Sequence, residues 1–63
     1  MMTEAQERKA ERERKIYEAF KKKVKTMGRT EAYNQARKAV KPWAAYSTTV
    51  GIVKRMEALE GKE

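Results

Sequence analysis

At 63 residues the chain holds one domain at most, and a domain of about 60 residues buries only about 60% of the surface its unfolded chain exposes. With no Cys and no His, neither disulfides nor the usual zinc ligand sets can reinforce so small a core, and the reinforcement left is a homodimer. The formal charge of +7 points to an anionic partner, because a basic surface attracts phosphate before any specific contact forms.

The same composition argues against catalysis. Without His, Cys or Asp, general-base, thiol and metal-bound-water chemistry lack their ordinary residues. The glutamates of residues 4 to 13, and Glu57, Glu60 and Glu63, read as solvated, and Gly28, Gly51 and Gly61 match no phosphate-loop spacing. No enzyme, cofactor or metal site is expected. No apolar run approaches the ~18 residues of a membrane span, and the first residues are too charged for a signal peptide. A cytoplasmic protein is expected.

One proline, three glycines and 40% charged residues favour helix over an all-β domain. The fold class expected is all-α, a small three-helix domain with helices over residues 3–27, 31–40 and 47–60. Residues 1–15 are good helix formers without a large apolar side chain after Met2. They predict a charged helical extension that frays toward its start, with a disordered arm as its alternative, ahead of a core domain over 16–61.

From Ile16 the pattern changes. Ile16, Phe20, Val24 and Met27 make an apolar stripe with Tyr17 beside it, and Gly28 supplies a left-handed C-terminal stop. Lys21, Lys22, Lys23, Lys25 and Arg29 cluster against Glu18 alone, so the basic excess is concentrated there. Thr30 is the expected cap of the second helix, whose face is Ala32, Tyr33, Ala36, Ala39 and Val40 and which Pro42 ends. Residues 41–46 are a tight turn or a helical turn of their own.

Ser47 is the expected cap of the third helix, with Val50, Ile52, Val53, Met56 and Leu59 as its stripe and Gly61 as its stop. Thr48 to Val53 have poor helix propensity, so a strand there is the competing reading, though it would have no partner strand. Gly51 is expected to admit a close second backbone. Phe20, Trp43 and Tyr46 are expected in the core rather than as stacking platforms, because in so small a fold the aromatics are most of the available core volume.

The order Ser47-Thr48-Thr49-Val50, a step to Ile52 and Val53, then Lys54-Arg55-Met56-Glu57 resembles the recognition helix of bacterial and phage helix-turn-helix and winged-helix DNA-binding proteins. That resemblance, over residues 36–61, implies Ser47, Thr48, Thr49 and Gly51 near bases or phosphates and Lys54 and Arg55 on the DNA backbone. It also implies inward positions at Ala39, Trp43, Ala45, Val50 and Val53. Val40 and Pro42 depart from the pattern, which implies a turn built differently. The function expected is a small basic DNA-binding regulatory or accessory factor that uses Lys21, Lys22, Lys23, Lys25, Arg29, Ser47, Thr48, Thr49, Lys54 and Arg55. The alternative is a helical protein-binding module that meets an acidic partner through its alanine face and a surface containing Met27 and Met56. RNA or ribosome association is a third.

Overall fold

The computed structural model describes residues 3–61, and the expectations for Glu63 and for the first two residues of the extension lie outside them. Three helices, α1 (Glu4–Lys23), α2 (Arg29–Ala36) and α3 (Tyr46–Glu60), with a 3-10 turn over Arg37–Ala39, make up the regular structure. No strand occurs among the described residues, and α1 packs against both α2 and α3. The all-α, three-helix class is therefore the observed one.

The charged start of α1 is fixed by a capping box. The Gln6 amide donates to Thr3 Oγ1 at 3.3 Å while the Thr3 amide donates to Gln6 Oε1 at 3.0 Å, which satisfies two amide donors at the helix start. At its other end α1 stops four residues earlier than the apolar stripe predicts. The Thr26 hydroxyl and the Thr26 and Met27 amides all converge on the Lys23 carbonyl, a local turn that competes with the helix. Val24 and Met27 still pack half-buried on the core from that turn.

Gly28 is not a left-handed stop. Its φ of -65° and ψ of 163° are extended, and it begins α2 as N-cap, with the Ala32 amide donating to its carbonyl. Thr30, the expected cap, lies inside the helix. After the 3-10 turn the backbone becomes extended at Val40, and the Lys41-Pro42 peptide bond is cis.

The third helix begins at Tyr46 on Ala45, whose side chain makes no capping hydrogen bond, so Ser47 is a helical residue rather than the cap. The strand alternative over 48–53 is overturned. Burial overrides propensity here: Thr49, Ile52 and Val53 all point into the core, and the Thr49 hydroxyl donates to the Ala45 carbonyl at 3.0 Å, the i−4 bond that threonine makes in a helix. Gly61 does end the helix, in right-handed rather than left-handed geometry.

The core consists of Ile16, Tyr17 and Phe20 of α1, Ala32, Tyr33 and Ala36 of α2, Val40 and Ala44 of the connection, and Ile52 and Val53 of α3. Phe20 stacks on Tyr33 with ring centroids 4.8 Å apart, and Tyr46 meets Tyr33 edge-on at 5.9 Å. Core roles for two aromatics need correcting: Trp43 is 57% exposed, and Tyr46 is 39% exposed at the margin of the core. The alanine side chains of α2 let α1 approach closely, and that leaves no volume for an indole. Leu59, placed on the apolar stripe of α3, is also exposed.

Candidate nucleic-acid interface

The ten residues assigned to a nucleic-acid surface separate into three groups. Lys21, Arg29 and Arg55 are committed to the fold. Lys21 Nζ lies 3.3 Å from Glu60 Oε1 and sits over the Tyr17 ring, and Arg55 pairs with Glu13 at 2.6 Å, which ties α3 to the first half of α1. Arg29 holds both Glu57 oxygens, at 2.8 and 3.4 Å, and donates to the Tyr33 hydroxyl at 2.8 Å while lying over the Phe20 and Tyr33 rings. These bonds raise the pKa of Arg29 further above its ordinary value, the carboxylate of Glu57 being the larger cause.

Glu13, Glu57 and Glu60 are therefore structural partners rather than merely solvated acids. Glu60 also accepts the Tyr17 hydroxyl at 2.6 Å. That bond holds the Glu60 carboxyl below the usual carboxylate range, with Lys21 adding to the effect, and together with burial pushes the Tyr17 phenol up to about 12.

Thr49 forms the second group alone. It is fully buried and its hydroxyl is spent inside α3, so it cannot meet a groove. The inward register implied by the helix-turn-helix resemblance fails in the same region. Val53 is buried and Val50 half-buried, but Ala39, Trp43 and Ala45 are exposed, because an extended connection separates the 3-10 turn from α3 in place of a tight helical turn. Gly51 is exposed, and a Cβ there would meet nothing within 4 Å, so no other segment among the described residues approaches it. Met27 and Met56 pack half-buried on the core, so only part of each side chain is at the surface.

The third group is available to a ligand. Lys22, Lys23, Lys25 and Lys54 are exposed and make no ion pair among the described residues, and Ser47 and Thr48 are exposed on the first turn of α3.

A second basic surface, outside the set expected from the sequence, is built by the connection between α2 and α3. Val40 and Ala44 are buried and pin its two ends. The Arg12 guanidinium donates to the carbonyls of Lys41 and Pro42, and Arg37 Nε donates to the Ala44 carbonyl at 2.9 Å while the Ala44 amide donates to the Arg37 carbonyl. Between these anchors Trp43 projects outward, with Lys38 Nζ 5.2 Å and Arg37 Cζ 5.9 Å from its ring. An open groove between α1 and the connection is lined by the cations Arg8, Arg12, Lys15 and Lys41, with Glu11 as its acid, itself paired to Lys15.

The signal for this surface is present in the sequence. From residue 32 to residue 56 there are five cations, Arg37, Lys38, Lys41, Lys54 and Arg55, and not one carboxylate. Counting charge from the front of the chain draws attention instead to the basic cluster at the end of α1, two of whose members, Lys21 and Arg29, are neutralised by glutamates 39 and 28 residues away. No family model, curated protein or solved structure matches this chain.

Proposed function

We propose that this is a small basic nucleic-acid-binding protein of the cytoplasm, a regulatory or accessory factor that holds duplex DNA mainly through phosphates. The observation that carries the reading is charge left over after folding. Of the fifteen described Lys and Arg residues four are in ion pairs, while the connection between α2 and α3 carries cations with no acid among them. Lys22, Lys23 and Lys25 at the end of α1, and Arg37, Lys38 and Lys41 on the connection, are the phosphate contacts in this reading. In this reading Ser47 and Thr48, with the first-turn amides of α3, add to the contacts of the connection that precedes them. The recognition-helix resemblance is retained for Ser47 and Thr48 only.

Self-association belongs to the same proposal. Exposed Leu59 on α3, with open space over Gly51, would allow a second copy of the chain to sit against that helix. Sedimentation equilibrium at tens of micromolar is expected to show more than the 7.4 kDa species.

The test of DNA binding is a salt titration with a labelled random duplex. Removing one phosphate-binding cation should reduce the magnitude of the log K against log salt slope by about 0.9. Substituting Lys22, Lys23 and Lys25 with Gln, and separately Lys38 and Lys41, assigns the phosphates to one surface or the other. Lys21 and Arg55, whose charges are already countered, should change the slope less. Absence of any duplex binding at low salt would remove duplex DNA as the ligand and leave RNA association or docking on an acidic protein as the readings.

A further inference from the structure

We infer that Trp43 is a stacking platform for an unpaired nucleobase, so that the connection between α2 and α3 binds single-stranded nucleic acid. This rests on the nucleic-acid reading above and goes beyond it, since duplex DNA keeps its base faces covered.

Three observations meet at this residue. Trp43 is the sole tryptophan and is 57% exposed, so most of its ring surface adds nothing to the core. Its backbone is held from both sides: Val40 and Ala44 are buried, Arg12 grips the Lys41 and Pro42 carbonyls, and Arg37 grips the Ala44 carbonyl. A ring on a fixed loop binds with little further loss of freedom, which is the condition for a productive platform. The third is charge. Arg37 and Lys38 lie at the ring and Lys41 follows in the groove, with no carboxylate from residue 32 to residue 56.

These features match the chemistry of one unpaired nucleotide. A base offers a flat π-face to the indole, and its phosphate lies within one nucleotide of that face, where a lysine or arginine can neutralise it. Lys38, which makes no ion pair among the described residues, can leave the ring for the phosphate as the base arrives. An acidic peptide would satisfy the cations without needing a planar surface, so the exposed ring favours the nucleotide.

The lone tryptophan also reports the event, because stacking by a base quenches its fluorescence. Titrations would compare a short oligothymidylate with an abasic oligonucleotide of the same length, which has the same phosphates and no bases, and with a random duplex. The expected result is tighter binding of oligothymidylate than of the abasic strand, with quenching by the former alone. In Trp43→Ala the preference should disappear through a loss of about 5- to 150-fold in affinity for the strand with bases, the range for one stacked base. Duplex affinity in that variant should stay unchanged, and Trp43→Phe should retain part of the preference. Far-UV circular dichroism establishes that the variants remain folded. A parallel oligouridylate series separates RNA from DNA as the source of the strand, and the same Trp43 dependence with either supports the inference. Equal binding of the abasic and base-bearing strands, with no quenching, overturns it while leaving the phosphate-binding reading intact. Failure of all three ligands to bind at low salt overturns both.

Discussion

Replacing Trp43 by alanine should cost the fold much less than replacing Phe20. The indole is 57% exposed, so of the roughly 250 Å² that a large aromatic side chain can bury it removes on the order of 100 Å² from water. At about 25 cal/mol/Å² that is about 2.5 kcal/mol as an upper bound measured against an extended chain. A real unfolded chain already buries part of such surface, which brings the expected loss to about 1.5 to 2 kcal/mol. Phe20 is 2% exposed and stacked on Tyr33, and truncating a ring so placed costs about 3 to 5 kcal/mol. A domain of this length has on the order of 3 to 9 kcal/mol in total. Urea denaturation followed by far-UV circular dichroism should therefore show a cooperative transition at modestly lower urea for Trp43→Ala. For Phe20→Ala the midpoint should fall about twice as far or more, and the transition is lost where the total stability lies in the lower half of that range. A Trp43→Ala chain without a cooperative transition would refute the assignment of Phe20, rather than Trp43, as the central ring. It would also withdraw the tryptophan from any binding role.

Thr49→Val should change stability by less than about 1 kcal/mol, because the Ala45 carbonyl keeps the Thr49 amide as its donor, and should leave DNA affinity and sequence preference as they were; an altered preference would show that the residue reaches a groove. Gly51→Ala should raise stability by about 0.5 to 1 kcal/mol, since the site is mid-helix and open, and a fall in self-association measured by sedimentation would place the second copy there. Two pH limits follow from the Tyr17–Glu60 bond. The Glu60 carboxyl is more acidic in the folded chain than its ordinary 4.5, so the unfolded chain takes up the proton first and the thermal midpoint should fall as pH drops below about 4.5. The Tyr17 phenol titrates near 12 in the folded chain against 10 when unfolded, so the stability it contributes is complete below pH 10 and lost between about 10 and 12. Tyr17→Phe should remove the alkaline step, and a midpoint curve with that step unchanged would show that the bond does not form in solution.

The sequence by itself determined the class of fold. Ile16 and Phe20, and Ala32 and Ala36, recur at helical spacing, a local property that reads as helix, whereas Thr48 to Val53 also fitted a strand until burial of Thr49, Ile52 and Val53 chose the helix. It also held two signals that charge counting from the front of the chain passes over: the Thr3/Gln6 capping box and the acid-free run from residue 32 to residue 56. Element ends were less legible, because Gly28 serves an extended N-cap as readily as a left-handed stop, and the Thr26 hydroxyl ended α1 ahead of it.

The state of each charge was decided by tertiary structure alone. Lys21 and Lys22 are adjacent and identical in type, yet the first meets Glu60, 39 residues away, and the second meets no acid among the described residues. The exposure of Trp43 has the same origin. An aromatic between two helices reads as core in any local pattern, and only the packing of α1 on the alanines of α2, with Val40 and Ala44 taking the inward positions of the connection, turned the indole toward solvent. Pairing and exclusion from a core depend on which distant segments arrive at the same place, and no local period encodes that.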